Sequence, residues 1–269
     1  MLSDPQDPPP RPVAMPTGGP IQVTMNTPYH EMIAPHQTRI VLIHVGKCAG
    51  SSVILSLAGA LTDRYVMYEM HTDIAARIIR DTLAGKDQDF IYLITLRDPI
   101  ARFVSAYDWD KHSIFLPGRV KRQVIRDHYS EFSHVDMLAR ALSSQDSARA
   151  ERALELARFA HMGMGQAWYM PLDVVEALPE GRTFLCETET LDRDLQRFAA
   201  MLDSRYLAQQ LTIPRDKADY KKAYAKPEEV FGPPLSDLAR RNLRILLDDD
   251  YRTQQALKRR FSTADASPA

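Results

Sequence analysis

The stretch "RIVLIHVGKCAGSSVILSLAGAL", residues 39–61, constrains the fold more than any other part of the chain. It opens as an apolar, β-branched run, the pattern of a strand buried on both faces. It closes with Val53, Ile54, Leu57, Ala58 and Leu61 on one face of a helix. A strand that turns directly into a helix aims the loop's backbone N–H groups and the positive end of the helix dipole at one spot, which favours an anion. Gly46 and Gly50 permit close backbone approach, Lys47 supplies a mobile positive charge, and Ser51 and Ser52 offer hydroxyls in the first turn. A helix cap at Ser51 accounts for one of these residues but not for the rest.

The same alternation continues along the chain. "RYVMYEM" (64–70) reads as a strand, "DIAARIIRDTLAG" (73–85) as a helix closed by Gly85, and "DFIYLITL" (89–96) as a third buried strand. A helix follows from Pro99 to about Asp110, and strand–helix alternation of this kind predicts a parallel sheet with crossover helices. Residues 118–178 read as helices, "RTFLCE" (182–187) as a fourth strand, and "LDRDLQRFAAML" (191–202) as the helix after it. The expected fold is an α/β, P-loop-like three-layer sandwich with a mostly parallel sheet and a helical C-terminal part. Nine of the 18 prolines fall within the first 35 residues, which predicts a disordered Pro-rich leader over 1–37. The expected folded domain then spans 38–262, with a flexible tail over 263–269.

Composition excludes several classes. A net charge of −1 gives no support to nucleic-acid binding as the main activity. The only two cysteines, Cys48 and Cys186, are far apart in sequence, so no disulfide framework is indicated and a reducing compartment is expected. There is no apolar run of membrane-spanning length and no basic flank followed by a hydrophobic stretch near the N-terminus. The expectation is a cytoplasmic protein without a membrane span; the sequence leaves its oligomeric state open.

The loop fails the ATP-binding Walker pattern at two places. That pattern needs a glycine where Val41 stands and a Ser or Thr where Cys48 stands. "IHVGKCAGSS" instead resembles the 5′-phosphosulfate loop of sulfotransferases that use 3′-phosphoadenosine-5′-phosphosulfate (PAPS). "LITLRDPIARFVSAY" (93–107) resembles that family's 3′-phosphate motif. The closest likeness is to the carbohydrate branch that includes uronyl 2-O-sulfotransferases, and with weaker stretches it covers most of 39–257. The resemblance implies that Gly46, Lys47, Cys48, Ala49, Gly50, Ser51 and Ser52 hold the phosphosulfate, Cys48 through its backbone. It implies further that Arg97 and Ser105 grip the 3′-phosphate. Arg215 or Lys217, after the last sheet strand, would help cover the nucleotide. The donor would leave as adenosine 3′,5′-bisphosphate, with no metal, after passing its sulfuryl group to a hydroxyl, expected on a carbohydrate. A P-loop nucleotide kinase and a non-catalytic nucleotide-binding module are the alternatives.

Sulfuryl transfer needs charge on the leaving group stabilised and the acceptor's proton removed. Lys47 suits the first task. For the second, His71 ends the second predicted strand at the edge where open α/β sheets place ligands, and the resemblance puts a general base there. Glu69 is the reserve, as a carboxylate base or as the group that orients His71. His44 reads as a satisfied core histidine. Arg102 reads as a buried ion pair before a ligand contact, and Gln166, Trp168 and Tyr169 as residues that could meet the acceptor, with packing the first reading for Trp168. Two basic clusters, Arg119–Lys121–Arg122–Arg126 and Arg215–Lys217–Lys221–Lys222, are either solvated faces or a lining for an anionic acceptor.

Overall fold

In the computed structural model, residues 21–34, 36–58, 61, 64–85, 89–202, 211, 213–214, 221–222 and 224–261 are described. Among them the sheet strands are β1 (Gln22–Met25), β2 (Thr38–Ile43), β3 (Tyr65–Met70), β4 (Phe90–Leu96) and β5 (Thr183–Glu187). All pairings are parallel, in the order β1-β3-β2-β4-β5. Side chains alternate across the sheet. Ile40, Leu42, Met67 and Leu93 pack under α1 (Gly50–Ala58) and α10 (Leu191–Met201). Val41, Ile43, Tyr68, Met70 and Ile94 meet the opposite layer, which includes α2 (Ala75–Ala84), α8 (Gln166–Tyr169), α9 (Leu172–Ala177) and α13 (Asp248–Phe261). Both faces are covered, which is why the strands read as continuous apolar runs. Ile40, Val41, Leu42 and Ile43 are all fully buried, each contributing about 1.5–3 kcal/mol.

The α/β sandwich is as expected, and its topology positions the site. The β2–α1–β3 crossover steps to one side of β2, and the β3–α2–β4 crossover steps back past it. Connections therefore part at the carboxyl ends of β2 and β4, where such sheets open a crevice. The glycine–lysine loop leaves β2 at that point and Arg97 leaves β4 beside it.

A second core is purely helical. Here α3 (Pro99–Asp110) packs with α4 (Gln123–Glu131), α5 (Val135–Ala141), α6 (Ser147–Ala157), the short α7 (Ala160–Gly163) and α12 (Asp237–Leu246), through residues such as Phe103, Tyr107, Phe132, Leu156 and Leu243. The start of α3 is set as its sequence predicts: Ala101 N–H donates to Asp98 Oδ1 at 2.9 Å, with Pro99 in the first turn. Its end runs on into a π turn over Lys111–Phe115. Among the described residues a one-turn helix, α11 (Pro227–Phe231), lies between α10 and α12 in chain order.

The leader boundary expected at residue 37 is corrected. Residues 1–20 lie outside the described residues, as do 263–269, but 21–34 are built into the fold. β1 pairs with β3, Gln22 opposite Val66 through Met25 opposite Glu69, and Ile21 and Met32 are buried. Averaging proline content over the whole segment hides "IQVTM", which has no proline and needs only four residues to add an edge strand. No described helix is long and apolar enough to cross a membrane.

Candidate active site

The loop after β2 is held in a conformation that ordinary residues seldom adopt. Lys47 and Ala49 have φ of 68° and 64°, the left-handed region, where a side chain costs energy and tends to mark a functional turn. Backbone bonds from Cys48 N–H to the Val45 carbonyl (3.1 Å) and from Val53 N–H to the Ala49 carbonyl (3.1 Å) fix the turn into α1. Cys48 is fully buried, and burial pushes its thiol up to about 12. It is therefore a neutral side chain, consistent with a backbone role. Gly50 serves a purpose beyond the one expected. A Cβ there would lie 2.0 Å from His44 Cδ2, so the glycine makes room for a histidine ring beneath the loop while its backbone lines the cleft.

Around this loop opens a cleft of about 780 Å³, within the range of small-molecule sites. Lys47, Ser51, Ser52, Arg97, Ser105 and His71 all line it. The two predicted phosphate motifs are tied together, since Arg97 Nη1 donates to the Lys47 carbonyl at 3.3 Å. Behind Arg97, its own carbonyl accepts from Gln166 Nε2 at 2.5 Å and from Gln254 Nε2 at 3.0 Å. Trp109 lines the cleft with Lys47 Nζ 4.2 Å from its ring centroid, a cation–π contact. Tyr107, by contrast, is fully buried and donates to the Phe132 carbonyl.

Of the basic clusters, only the second reaches the cleft among the described residues. Lys221 lines it and pairs with Asp108; burial pushes the Asp108 carboxyl up while Lys221 opposes the shift. Arg215 and Lys217 lie outside the described residues. In the first cluster Arg122 pairs with Glu155 at 2.9 Å and Arg126 bonds to Gln123 at 3.1 Å, on an exposed face away from the cleft.

Three histidines converge on the loop. His44 is buried and its Nδ1 meets Glu69 Oε1 at 2.5 Å, while its ring stacks on His71 with centroids 4.2 Å apart. His71 Nδ1 lies 3.0 Å from the His44 carbonyl. A carbonyl can only accept, so Nδ1 carries the hydrogen and Nε2 keeps its lone pair. Burial, with the His44 ring second, pushes His71 down to about 4. The third is His161, which the sequence did not single out for this cleft. Its Nδ1 and its backbone N–H (3.1 Å) both meet the carboxylate of fully buried Asp110.

Several expectations are corrected here. Glu69 turns its carboxylate to His44 and is not among the residues that line the cleft, although its charge favours the protonated form of His71. Gln166 is fully buried on the Arg97 carbonyl, and Tyr169 is buried with its hydroxyl 3.5 Å from His71 Nδ1, so neither is on the acceptor side. Trp168 packs against the sheet core, the first of the two roles expected for it. Arg102 is a buried structural residue as expected, 3.8 Å from Asp250, and donates to the His161 (2.8 Å) and Met162 (3.0 Å) carbonyls. Asn26 is a residue that sequence reasoning missed. Its Oδ1 accepts from His71 N–H and its Nδ2 donates to Thr72 Oγ1, both at 2.9 Å. Asn in "MNTP" is a turn signal, but a reading of the segment as leader discards it. Nothing local links His161 to Asp110, which stand 51 residues apart. Among the described residues no group of three or more His, Cys, Asp or Glu is placed to hold a metal. No family model, no curated protein and no solved structure matches the chain.

Proposed function

We propose that this chain is a sulfotransferase that moves a sulfuryl group from PAPS to a hydroxyl acceptor, of carbohydrate type. The observation that carries the reading is the Arg97–Lys47 junction, which puts both anion-binding motifs on one cleft wall with histidines beside them. Lys47, the loop N–H groups and the hydroxyls of Ser51 and Ser52 suit the phosphosulfate. Arg97 and Ser105, one strand over, suit a second phosphate, the feature that separates this donor from ATP. The donor supplies the activated sulfuryl group. The chain's own tasks are to align it with the acceptor, to stabilise negative charge on the departing phosphate through Lys47, and to take up the acceptor's proton at a cleft histidine.

Thermal denaturation tests the donor assignment. A ligand at 100 times its dissociation constant stabilises a fold by about 2.7 kcal/mol. Adenosine 3′,5′-bisphosphate without magnesium is expected to do this. A larger shift with ATP and magnesium would point to a kinase instead, and a shift without transfer of labelled sulfate to any acceptor would point to a binding module.

A further inference from the structure

His71 has a neutral ring and a lone pair on Nε2, yet it is a poor place to leave a proton. Its Nδ1–H faces a neutral carbonyl and its ring stacks on His44. The carboxylate that favours an imidazolium there, Glu69, bonds to His44 Nδ1, and burial together with the His44 ring outweighs it. The downward displacement of His71 is in keeping with that geometry.

His161 has the complementary surroundings. The Asp110 carboxylate, fully buried on α3, accepts from the His161 backbone N–H and pairs with its Nδ1. A carboxylate partner places the hydrogen on Nδ1 and leaves Nε2 unprotonated, and it stabilises the imidazolium once Nε2 gains a proton. The backbone that carries the ring is held as well. Ala160 is left-handed, with φ of 46°, and Arg102, wholly buried, donates to the carbonyls of His161 and Met162. Strain and a buried charge spent on orienting one ring are the features of a preorganised group. The ring's exposed edge is turned to the reactive loop. His161 lines the cleft, and its Cδ2, next to Nε2, lies 3.2 Å from where a Cβ of Gly46 would stand. His71 reaches the same point, its Cε1 at 3.8 Å, with the two ring centroids 6.3 Å apart.

We infer that His161, oriented by Asp110, is the general base of this cleft. The assignment rests on the sulfuryl-transfer reading above. As the acceptor oxygen bonds to sulfur, its proton passes to His161 Nε2. The bond between sulfur and the phosphate oxygen breaks, and its electron pair leaves with adenosine 3′,5′-bisphosphate; the proton then passes to solvent. Asp110 is a positioning residue that holds the tautomer.

The test uses the full chain with sulfur-labelled PAPS and a panel of desulfated heparin and chondroitin, alongside calorimetric binding of adenosine 3′,5′-bisphosphate. His161→Ala is expected to lower kcat by about 10²–10⁴-fold, with product binding within threefold of the parent chain. Added imidazoles are expected to restore part of the rate, more so as their basicity rises, which a merely structural histidine would not show. Asp110→Asn offers an amide that can donate to Nδ1 and so favours the wrong tautomer; kcat is expected to fall while the donor KM holds. If buried Asp110 does not tolerate the change, the His161→Ala rescue series decides alone. A His161→Ala chain that keeps its rate, while His71→Ala loses it and is rescued by imidazole, overturns the assignment and leaves the sulfotransferase reading intact. A parent chain that neither binds the bisphosphate nor transfers sulfate overturns both.

Discussion

Replacing Gly50 with alanine sets two physical effects against each other with opposite signs. Gly50 opens α1, and Gly→Ala at a compatible helical site stabilises by about 0.4–1 kcal/mol. Packing argues the other way. The new Cβ would stand 2.0 Å from His44 Cδ2, 2.3 Å from Cγ and 2.4 Å from Nε2. To reach ordinary contact near 3.4 Å the ring must recede by about 1.4 Å. It is held by Glu69 through Nδ1 at 2.5 Å and stacked on His71 at 4.2 Å. Overpacking of this kind costs about 1–3 kcal/mol, and a strained hydrogen bond to a buried carboxylate adds about 1.5–3 kcal/mol if it is lost. Net destabilisation of about 2–3 kcal/mol is expected, read as a lower urea midpoint at unchanged m-value. In a His44→Ala background the obstacle is gone, so Gly50→Ala should be neutral or stabilising there, and the difference between the two backgrounds measures the contact. A parent chain that gains stability from Gly50→Ala would refute the reasoning, and with it the role of the glycine as a seat for His44.

Other consequences follow from the same geometry. On the sulfotransferase reading, Arg97→Ala would remove charge-assisted bonds to the 3′-phosphate worth about 1.5–3 kcal/mol each, so the donor KM is expected to rise tenfold or more; steady-state kinetics should show no such rise with a donor analogue lacking the 3′-phosphate. Lys47→Ala should lower kcat more than it weakens binding of adenosine 3′,5′-bisphosphate, because its charge matters most as the leaving phosphate forms. Since Lys47 Nζ rests over Trp109, the same variant should alter tryptophan emission before any ligand is added. Between pH 6.5 and about 4 the folded chain leaves His71 neutral while the unfolded chain protonates it. The stability this group contributes is therefore complete above pH 6.5 and declines as pH falls through that window. Urea midpoints taken across it should fall less steeply for His71→Gln.

What the sequence disclosed and what it hid divide along a physical line. The strands and helices were legible because their burial is periodic and local, and Lys47, Ser51, Arg97 and Ser105 because each belongs to a short strand–loop–helix unit. Partner choice was not. Glu69 and His71 stand two residues apart, yet register across β2 and β3 gives Glu69 to His44. His161 meets Asp110 only because the helical layer folds α7 against α3. Asn26 was lost to a composition average, although its side chain holds the His71 backbone.

The cleft is shared between two cores that need not open together. Lys47 and its turn are rooted in the sheet core through Val45 and Cys48, whereas the His161 segment is rooted in the helical core through Met162. Regions with separate cores tend to exchange amide hydrogens as separate cooperative units. An opening of the helical unit alone would draw His161 and Trp109 back from the loop while the anion cradle stays formed. Amides of α4, α5 and α6 should then exchange ahead of those in β2 and β4, at a rate that bound adenosine 3′,5′-bisphosphate slows only as far as it bridges the two units. On the proposed sulfotransferase reading, such partial melting would give a spent nucleotide a way out that leaves the sheet intact, with the seam along α3 as the place where turnover is governed.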